Sequence, residues 1–424
     1  MGQGIGEVPG VSTTIERDRA VLRPLVEQYL EICRKPVMAE RREAWRCLNS
    51  LRPGRPMIIV RGGRCWREVP ETTVRECRDP VLHAQEAQLR MAIFQDSLDD
   101  DRVCEPFLRV HAAYTCRDWG MEVNRAYAEG AEGRGAWKHE PPIKDLSDIS
   151  ALRAPTHRID DDRTAEMFEC VSDAVGDLIP VVVDRTTPFL VWKADISTEL
   201  GYSRGIDRFM MDMYDDPEGL HRLCRFYSEN VKRIHDEAEA AGDWSTLSHS
   251  HQSMTYCDEL PDPTEAAESV ERKQLWCYMA AQEFTLVSPE MHDEFVLQYQ
   301  LPVMSEFGLV QYGCCEDLTR KIDMLRKIPN LRMIGVAPIA DIRACSEQIG
   351  TDYAISYRPS PADMVCCGFD PDRVRRIAGD ALDVFRGQHI EINLKDVDTV
   401  ENEPARLGKW VSLVRDEIEK RAGT

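Results

Sequence analysis

No apolar run in this sequence approaches the ~18 residues that a membrane span requires, so no transmembrane helix is expected. Positive charge is also short. Lys and Arg number 53 against 74 Asp and Glu, a formal net charge of −21. Nucleic acid and anionic membrane surfaces are therefore not expected as partners, because both demand local positive charge. A small anionic ligand held by a few arginines stays open. Residues 1–14 have neither a basic stretch nor an apolar core, so no secretory signal is expected. Position 6 is Gly rather than Ser or Thr, which argues against myristoylation at Gly2. Low-complexity linkers and short repeats are absent. What is abundant is cysteine. Fifteen thiols are scattered along a 424-residue chain, too large to need disulfide staples, and the number is odd. They are read as reduced, which gives a cytoplasmic expectation.

Helical spacing of Val21, Leu22, Leu25, Val26, Tyr29, Leu30 and Cys33 marks residues 15–50 as helical, ending at Pro53-Gly54. Met57-Ile58-Ile59-Val60 reads as a short strand. A helix is expected from about Pro80 to Leu98, closed by Asp99-Asp100-Asp101. Eight strand candidates follow: Phe107–His111, Ile179–Val183, Thr246–Gln252, Met279–Thr285, Gly308–Tyr312, Met333–Ala337, Tyr353–Tyr357 and His389–Leu394. Amphipathic helices separate most of them. Ser288-Pro289-Glu290 is a helix start, with Ser as cap and Pro in the first turn. This rhythm predicts an α/β chain folded as a (β/α)8 TIM barrel. The division is a helical extension over 1–100 and a barrel over 101–424.

The sharpest local signal is Gln311-Tyr312-Gly313-Cys314-Cys315-Glu316-Asp317. Soft thiols and hard carboxylates stand together where a strand ends and a helix is expected over Leu318–Ile328. In α/β enzymes chemistry collects at such strand ends. A thiolate there binds a transition metal or acts as a nucleophile. Adjacent cysteines also serve as small buried hydrophobes. In the last strand candidate Ile390, Ile392 and Leu394 share one face, and His389, Glu391 and Asn393 share the other. The polar face is expected inside the barrel. His249 and His251 alternate in the same way, with Cys257 nearby, and Gln282-Glu283 ends the next strand candidate. A histidine on such a face is either a satisfied core residue or a metal ligand.

One order of pieces is distinctive. Gln282-Glu283-Phe284-Thr285-Leu286-Val287-Ser288-Pro289-Glu290 runs into Glu294-Phe295 and Pro302-Val303-Met304. Tyr312-Gly313-Cys314-Cys315 follows, then Asp341 after a strand and Arg358-Pro359 after the next. Over about residues 100 to 415 this resembles the uroporphyrinogen decarboxylase superfamily, and more closely its methyltransferase-like branch. That branch includes zinc-dependent methylcobalamin:thiol methyltransferases and methoxy-arene O-demethylases. The resemblance implies a barrel with its site at the C-terminal mouth, and a homodimer. It implies zinc held by a His-x-Cys motif on the fifth strand and a Cys near the eighth. Cys314 matches the motif's cysteine, its histidine falls on Tyr312, and the eighth strand offers Glu391 and Asn393. A metal here would draw on Cys314, Cys315, His251 and Glu391, since zinc accepts S, N and O donors.

The expected activity is zinc-dependent transfer of a methyl group between a small substrate and a corrinoid carried on a separate protein. The chain has no Asp-x-His-x-x-Gly corrinoid-ligand motif. Glu283, Glu316 and Asp341 are the candidate catalytic carboxylates. Arg185, Tyr312, Arg358 and Asn393 are the candidate substrate contacts, with Lys193 and Arg204 read as surface or ion-pair residues. The decarboxylase branch remains an alternative. Arg61-Gly62-Gly63-Arg64-Cys65-Trp66 and Val69-Pro70-Glu71 loosely resemble its Arg-rich, propionate-holding stretch. A metal-independent decarboxylase or lyase, or a catalytically silent ligand-binding barrel, are the other two readings.

Overall fold

The computed structural model describes residues 11–422 except 124, 128, 130–136 and 267. Eight strands of four to six residues carry the architecture: β1 (Met57–Arg61), β2 (Leu108–His111), β3 (Val181–Asp184), β4 (Trp276–Met279), β5 (Leu309–Tyr312), β6 (Leu331–Val336), β7 (Ala354–Tyr357) and β8 (Ile390–Lys395). Six form one parallel sheet in the order β1-β8-β7-β6-β5-β4, and β2 pairs in parallel with β3 as a separate two-stranded unit. The expected closed barrel is therefore a six-stranded parallel sheet plus a pair, with two interruptions in the wall.

Each interruption has a chemical cause. Beside β1, carboxylates take the place of a neighbouring strand. Ile58 N–H donates to Asp101 at 2.7 Å, Val60 N–H donates to Asp100 at 2.9 Å, and Arg102 donates to the Val60 carbonyl. Between β3 and β4, Thr246–Gln252 was expected to be a strand. Thr246–Ser248 is instead a 3-10 turn, because the Ser245 hydroxyl accepts the Leu247 N–H and the Ser248 hydroxyl accepts the Ser245 N–H. Side chains that satisfy local backbone groups compete directly with ladder formation. One backbone bond to the sheet is kept, where Ser250 N–H donates to the Trp276 carbonyl.

The expected Met279–Thr285 strand is shifted. β4 ends at Met279, and Gln282–Phe284 is a 3-10 turn. The helix expected over 318–328 shrinks to the single turn Ile322–Leu325. Residues 15–50 form two helices, α1 (Val11–Cys33) and α2 (Val37–Asn49), broken at Pro36. A third, α3 (Pro80–Asp96), starts at the Asp79 cap. Ser288 caps its helix as its sequence indicates. β1 lies within the segment read as an extension, yet it pairs along its whole length with β8.

Buried side chains fall on both sides of the sheet. Helices pack outside it on a large cluster that includes Ile58, Leu200, Phe209, Leu223, Val336 and Trp410. α1 and α3 cover the β2–β3 pair through Leu22, Val26, Leu82, Leu89 and Val110. Inside, Met57, Ile59, Met333 and Ala354 pack with Trp45 of α2, which plugs the N-terminal end. The C-terminal end is therefore the one left for a site. Among the described residues no helix is long and apolar enough to cross a membrane.

Candidate functional site

Strand pairing sets the inward rows. Met57, Ile59 and Arg61 of β1 stand beside Glu391, Asn393 and Lys395 of β8, and Ser356 of β7 stands beside Glu391. Side chains paired in register share a face, so the interior gains cationic charge toward the C-terminal mouth. Gln252, from the irregular segment, ties these rows together. Its amide oxygen accepts from Arg61 at 2.6 Å and from Lys395 at 3.3 Å. Its backbone N–H donates to Gln311, and its carbonyl accepts from Asn393.

β5 brings the cysteines to this mouth. Its last residue, Tyr312, points outward: the phenol donates to Gln300 and meets His292, each at 2.9 Å. Gly313 follows with φ +106, a conformation that favours glycine. That twist breaks the alternation and turns Cys314 inward. The family histidine position is thus spent on helix packing, and Tyr312 is not a mouth residue. Gly335 makes the complementary close approach. A Cβ there would lie 2.8 Å from the Gly313 carbonyl oxygen and 3.2 Å from the Arg358 guanidinium carbon. Gly335→Ala is expected to lower stability by about 1–3 kcal/mol by overpacking and to expose Cys314. Thermal melts and Cys314 alkylation rates check this. A variant matching the wild type in both would refute it.

Around Cys314 the contacts are dense. Its sulfur lies 3.5 Å from Cys315 Sγ and 3.0 Å from Lys395 Nζ. Arg358 donates to its carbonyl oxygen. Cys315 donates to Asp396 at 3.3 Å, and Lys395 is 3.2 Å from the same carboxylate. The contact with Cys315, outweighing burial and helped by Arg358 and Lys395, holds the Cys314 thiol below the usual range. Cys314, Cys315 and Asp396 each place a donor atom within 4.8 Å of the others. Two sulfurs and one carboxylate oxygen, with a fourth position open, suit zinc.

The other expected ligands lie apart from this trio. His251 Nδ1 accepts the Ser253 N–H at 2.9 Å, so in the neutral ring the proton sits on Nε2. A metal-binding imidazole instead donates from its second nitrogen to an acceptor. His251 is therefore poised as a hydrogen-bond donor and not as a ligand. Burial first, and the nearby Arg61, His249 and Arg358, push its pKa down to about 3. Imidazole 15N shifts are expected to report a neutral ring from pH 5 to 9. A midpoint near 6.5 would refute this placement. Glu391 accepts the hydroxyls of Ser253 and Ser356 and the amide of Asn393, which occupy both its oxygens.

Glu316 is buried and accepts the N–H groups of Ala281 and Cys314, stapling the ends of β4 and β5. Burial, then the Cys314 charge, raises its pKa. Glu283 accepts from Ser197 at 2.7 Å and Thr198 at 3.4 Å and lines a cavity of about 1130 Å³ with Trp137, Tyr202 and Arg208. Its carboxyl is also raised by burial. Asp341 is an exposed helix cap that accepts the N–H groups of Arg343 and Ala344, so it lies off the site. Arg185 is engaged by Asp243 and Asp161 in a half-exposed network, so its charge is already met. Arg204 is likewise paired, with Asp212.

Arg358 differs from both. It is 1% exposed, and its Nε and Nη2 have no partner. The Tyr278 hydroxyl, which stands beside Cys314, and His251 Nε2 are also buried with no hydrogen-bond partner among the described residues. Sequence reasoning missed Lys395 and Tyr278. Lys395 was legible as the next inward residue of the Glu391-Asn393 row. Tyr278 was hidden by the misplaced strand. Also missed was His111, whose Nδ1 lies 3.3 Å from Asp184 at the ends of β2 and β3, beside a cavity of about 460 Å³ that His251 also lines.

A uroporphyrinogen decarboxylase of Anaeromyxobacter sp. (strain Fw109-5) is 24% identical over 218 residues, 51% of this chain. The match spans 58% of that protein's length. A methyltransferase from Methanosarcina mazei shares the fold with a TM-score of 0.51 at 13% identity, covering 89% of this chain and 98% of the other. The chain is thus similar over about half its length to a uroporphyrinogen decarboxylase, and in fold to a protein named a methyltransferase. No family model matches it.

Proposed function

We propose that this chain is a zinc-dependent methyltransferase whose site is the Cys314–Cys315–Asp396 trio. The observation that carries the reading is the placement of two thiols and a carboxylate, within one ligand sphere, at the C-terminal mouth. Cys314, Cys315 and Asp396 would hold the ion. When bound, zinc supplies a Lewis acid that lowers the pKa of a thiol or polarises an ether oxygen. Lys395 stands against the trio and tempers its negative charge. Arg358, Tyr278 and His251 present buried hydrogen-bond donors with unmet capacity. Buried donors demand acceptors, so these residues orient a substrate that carries acceptor oxygens or negative charge. Glu283, whose carboxyl is raised by burial, is placed to move a proton at the cavity it lines. A closed (β/α)8 barrel and a separate protein carrying the corrinoid complete this reading.

Methylcobalamin demethylation with small thiols, run beside elemental analysis of the same sample, tests it. About one zinc per chain and zinc-dependent loss of the methyl–cobalt absorbance are expected. A metal-free chain with no such turnover would sink the proposal. One observation favours a second reading. Arg358 and Lys395 already neutralise Cys314, which suits a metal-independent decarboxylase or lyase. Activity that survives chelation would select it.

A further inference from the structure

The Cys314–Cys315 pair has a property that metal binding does not use. Adjacent cysteines usually diverge. Cys366 and Cys367 show this, with the Cys366 thiol donating to the Thr399 carbonyl at 2.7 Å and Cys367 exposed at φ +48. Cys314 and Cys315 converge instead, their sulfurs 3.5 Å apart. One of them is buried and the other is exposed to solvent. Lys395 Nζ lies 3.0 Å from the buried sulfur, and Asp396 accepts from the exposed one. The surrounding charges thus hold the two sulfurs against each other and leave one within reach of small oxidants.

We propose that Cys314 and Cys315 are a redox modification site that closes reversibly to a disulfide between neighbouring residues when a peroxide is present. The exposed Cys315 sulfur hands its proton to Asp396 as it attacks the peroxide and becomes a sulfenic acid, and the displaced hydroxide takes that proton and leaves as one water. Cys314 then attacks that sulfur, forming the S–S bond and expelling a second water. Two thiols lose two protons and two electrons in total, and the peroxide is reduced to two waters. Closing the pair requires the sulfurs to move from contact to about 2.05 Å. A thiol reductant restores both groups by exchange. Oxidation would remove two of the three donors at the mouth. That consequence for metal rests on the zinc reading; the disulfide itself does not.

Hydrogen peroxide, added in equimolar amount to the full chain with iodoacetamide quenching and peptide mapping, tests the proposal. The peptide holding both cysteines is expected to be two hydrogens lighter and unalkylated, and dithiothreitol should return two alkylatable thiols. The Cys366–Cys367 peptide, under the same treatment, should stay reduced. In Cys314→Ser a dimedone adduct should appear on Cys315, because the resolving thiol is gone. Wild type that gives the dimedone adduct, or sulfinic acid at Cys315, while Cys314 remains alkylatable, would overturn the proposal. Repeating the reaction with added zinc separates the two ideas. Protection supports shared donors. Unchanged disulfide formation leaves this inference standing and counts against the zinc site alone.

Discussion

Cys314→Ser is expected to keep the fold and to lower zinc affinity by more than about 100-fold, because residues that merely orient a ligand are already worth 10–100-fold. Methyl transfer should fall with it. Serine is nearly isosteric but stays protonated, so the trio loses its charged sulfur. The fold should persist, because Cys314 sits at a strand end where the backbone is fixed by Glu316 and by Gly313 N–H donating to the Met279 carbonyl. Lys395→Met gives the opposite sign. The ammonium competes with a cation for the Cys314 and Asp396 donors, so its removal is expected to tighten zinc binding at neutral pH. Competition with a zinc-chelating indicator measures both. Cys314→Ser binding zinc as tightly as wild type, or Lys395→Met binding it more weakly, would place the metal elsewhere.

Glu199→Gln is expected to stabilise the protein at pH 8. Burial first, with Asp118 and Glu283 adding to it against the opposing charge of Lys193, raises the Glu199 carboxyl from 4.5 to about 8. Between those values the native state holds a proton that the unfolded chain releases. Stability therefore falls as pH rises through that window, by about 1.4 kcal/mol per pH unit at most. Glutamine keeps the shape and the acceptor without the ionisation. The expected gain is about 2–4 kcal/mol at pH 8 and close to zero at pH 4.5. Denaturant titrations at both pH values check this. An equal effect at both would show that packing, not ionisation, governs the site. Asp195 and Glu283, close enough to couple with one another, are raised in the same direction. Three neighbouring carboxyls all raised by burial are a standing destabilisation, of the kind active sites retain for function.

Four histidines act in the other direction. His235, His249, His251 and His292 all have pKa values pushed down, mainly by burial. Unfolded histidines take up protons below about pH 6.5, so stability also falls as pH drops through that value. Neutral pH is where the two trends meet.

Much of the scaffold was legible in the sequence. Short apolar or alternating runs located β2, β3, β5, β6, β7 and β8 to within a few residues, because at least one face of each strand is buried against apolar neighbours. Alternation in His389–Leu394 correctly assigned Glu391 and Asn393 to the interior. The cysteine pair at the end of β5 was legible because strand ends in such sheets face the site. Where local side-chain chemistry competes with the ladder, the pattern misled. Ser245 and Ser248 turned an apparent strand into a 3-10 turn, and that change determined which way His251 faces.

The partners of each group were decided only by the folded chain. Residue type made His251 a natural zinc ligand, yet one backbone N–H from Ser253 puts its proton on the wrong nitrogen for that role. Arg185 and Arg358 read alike in sequence. One is neutralised by Asp243 and Asp161, and the other is buried with open donors. Asp396 drew no notice as an exposed acid after a strand, but its positive φ brings it against Cys315. Composition and periodicity determine which segments are buried and which face is polar, because those depend on the chain's own repeat. Which donor meets which acceptor depends on contacts between residues up to 334 apart in the chain, such as Glu68 and Asn402, and only the tertiary structure supplies them.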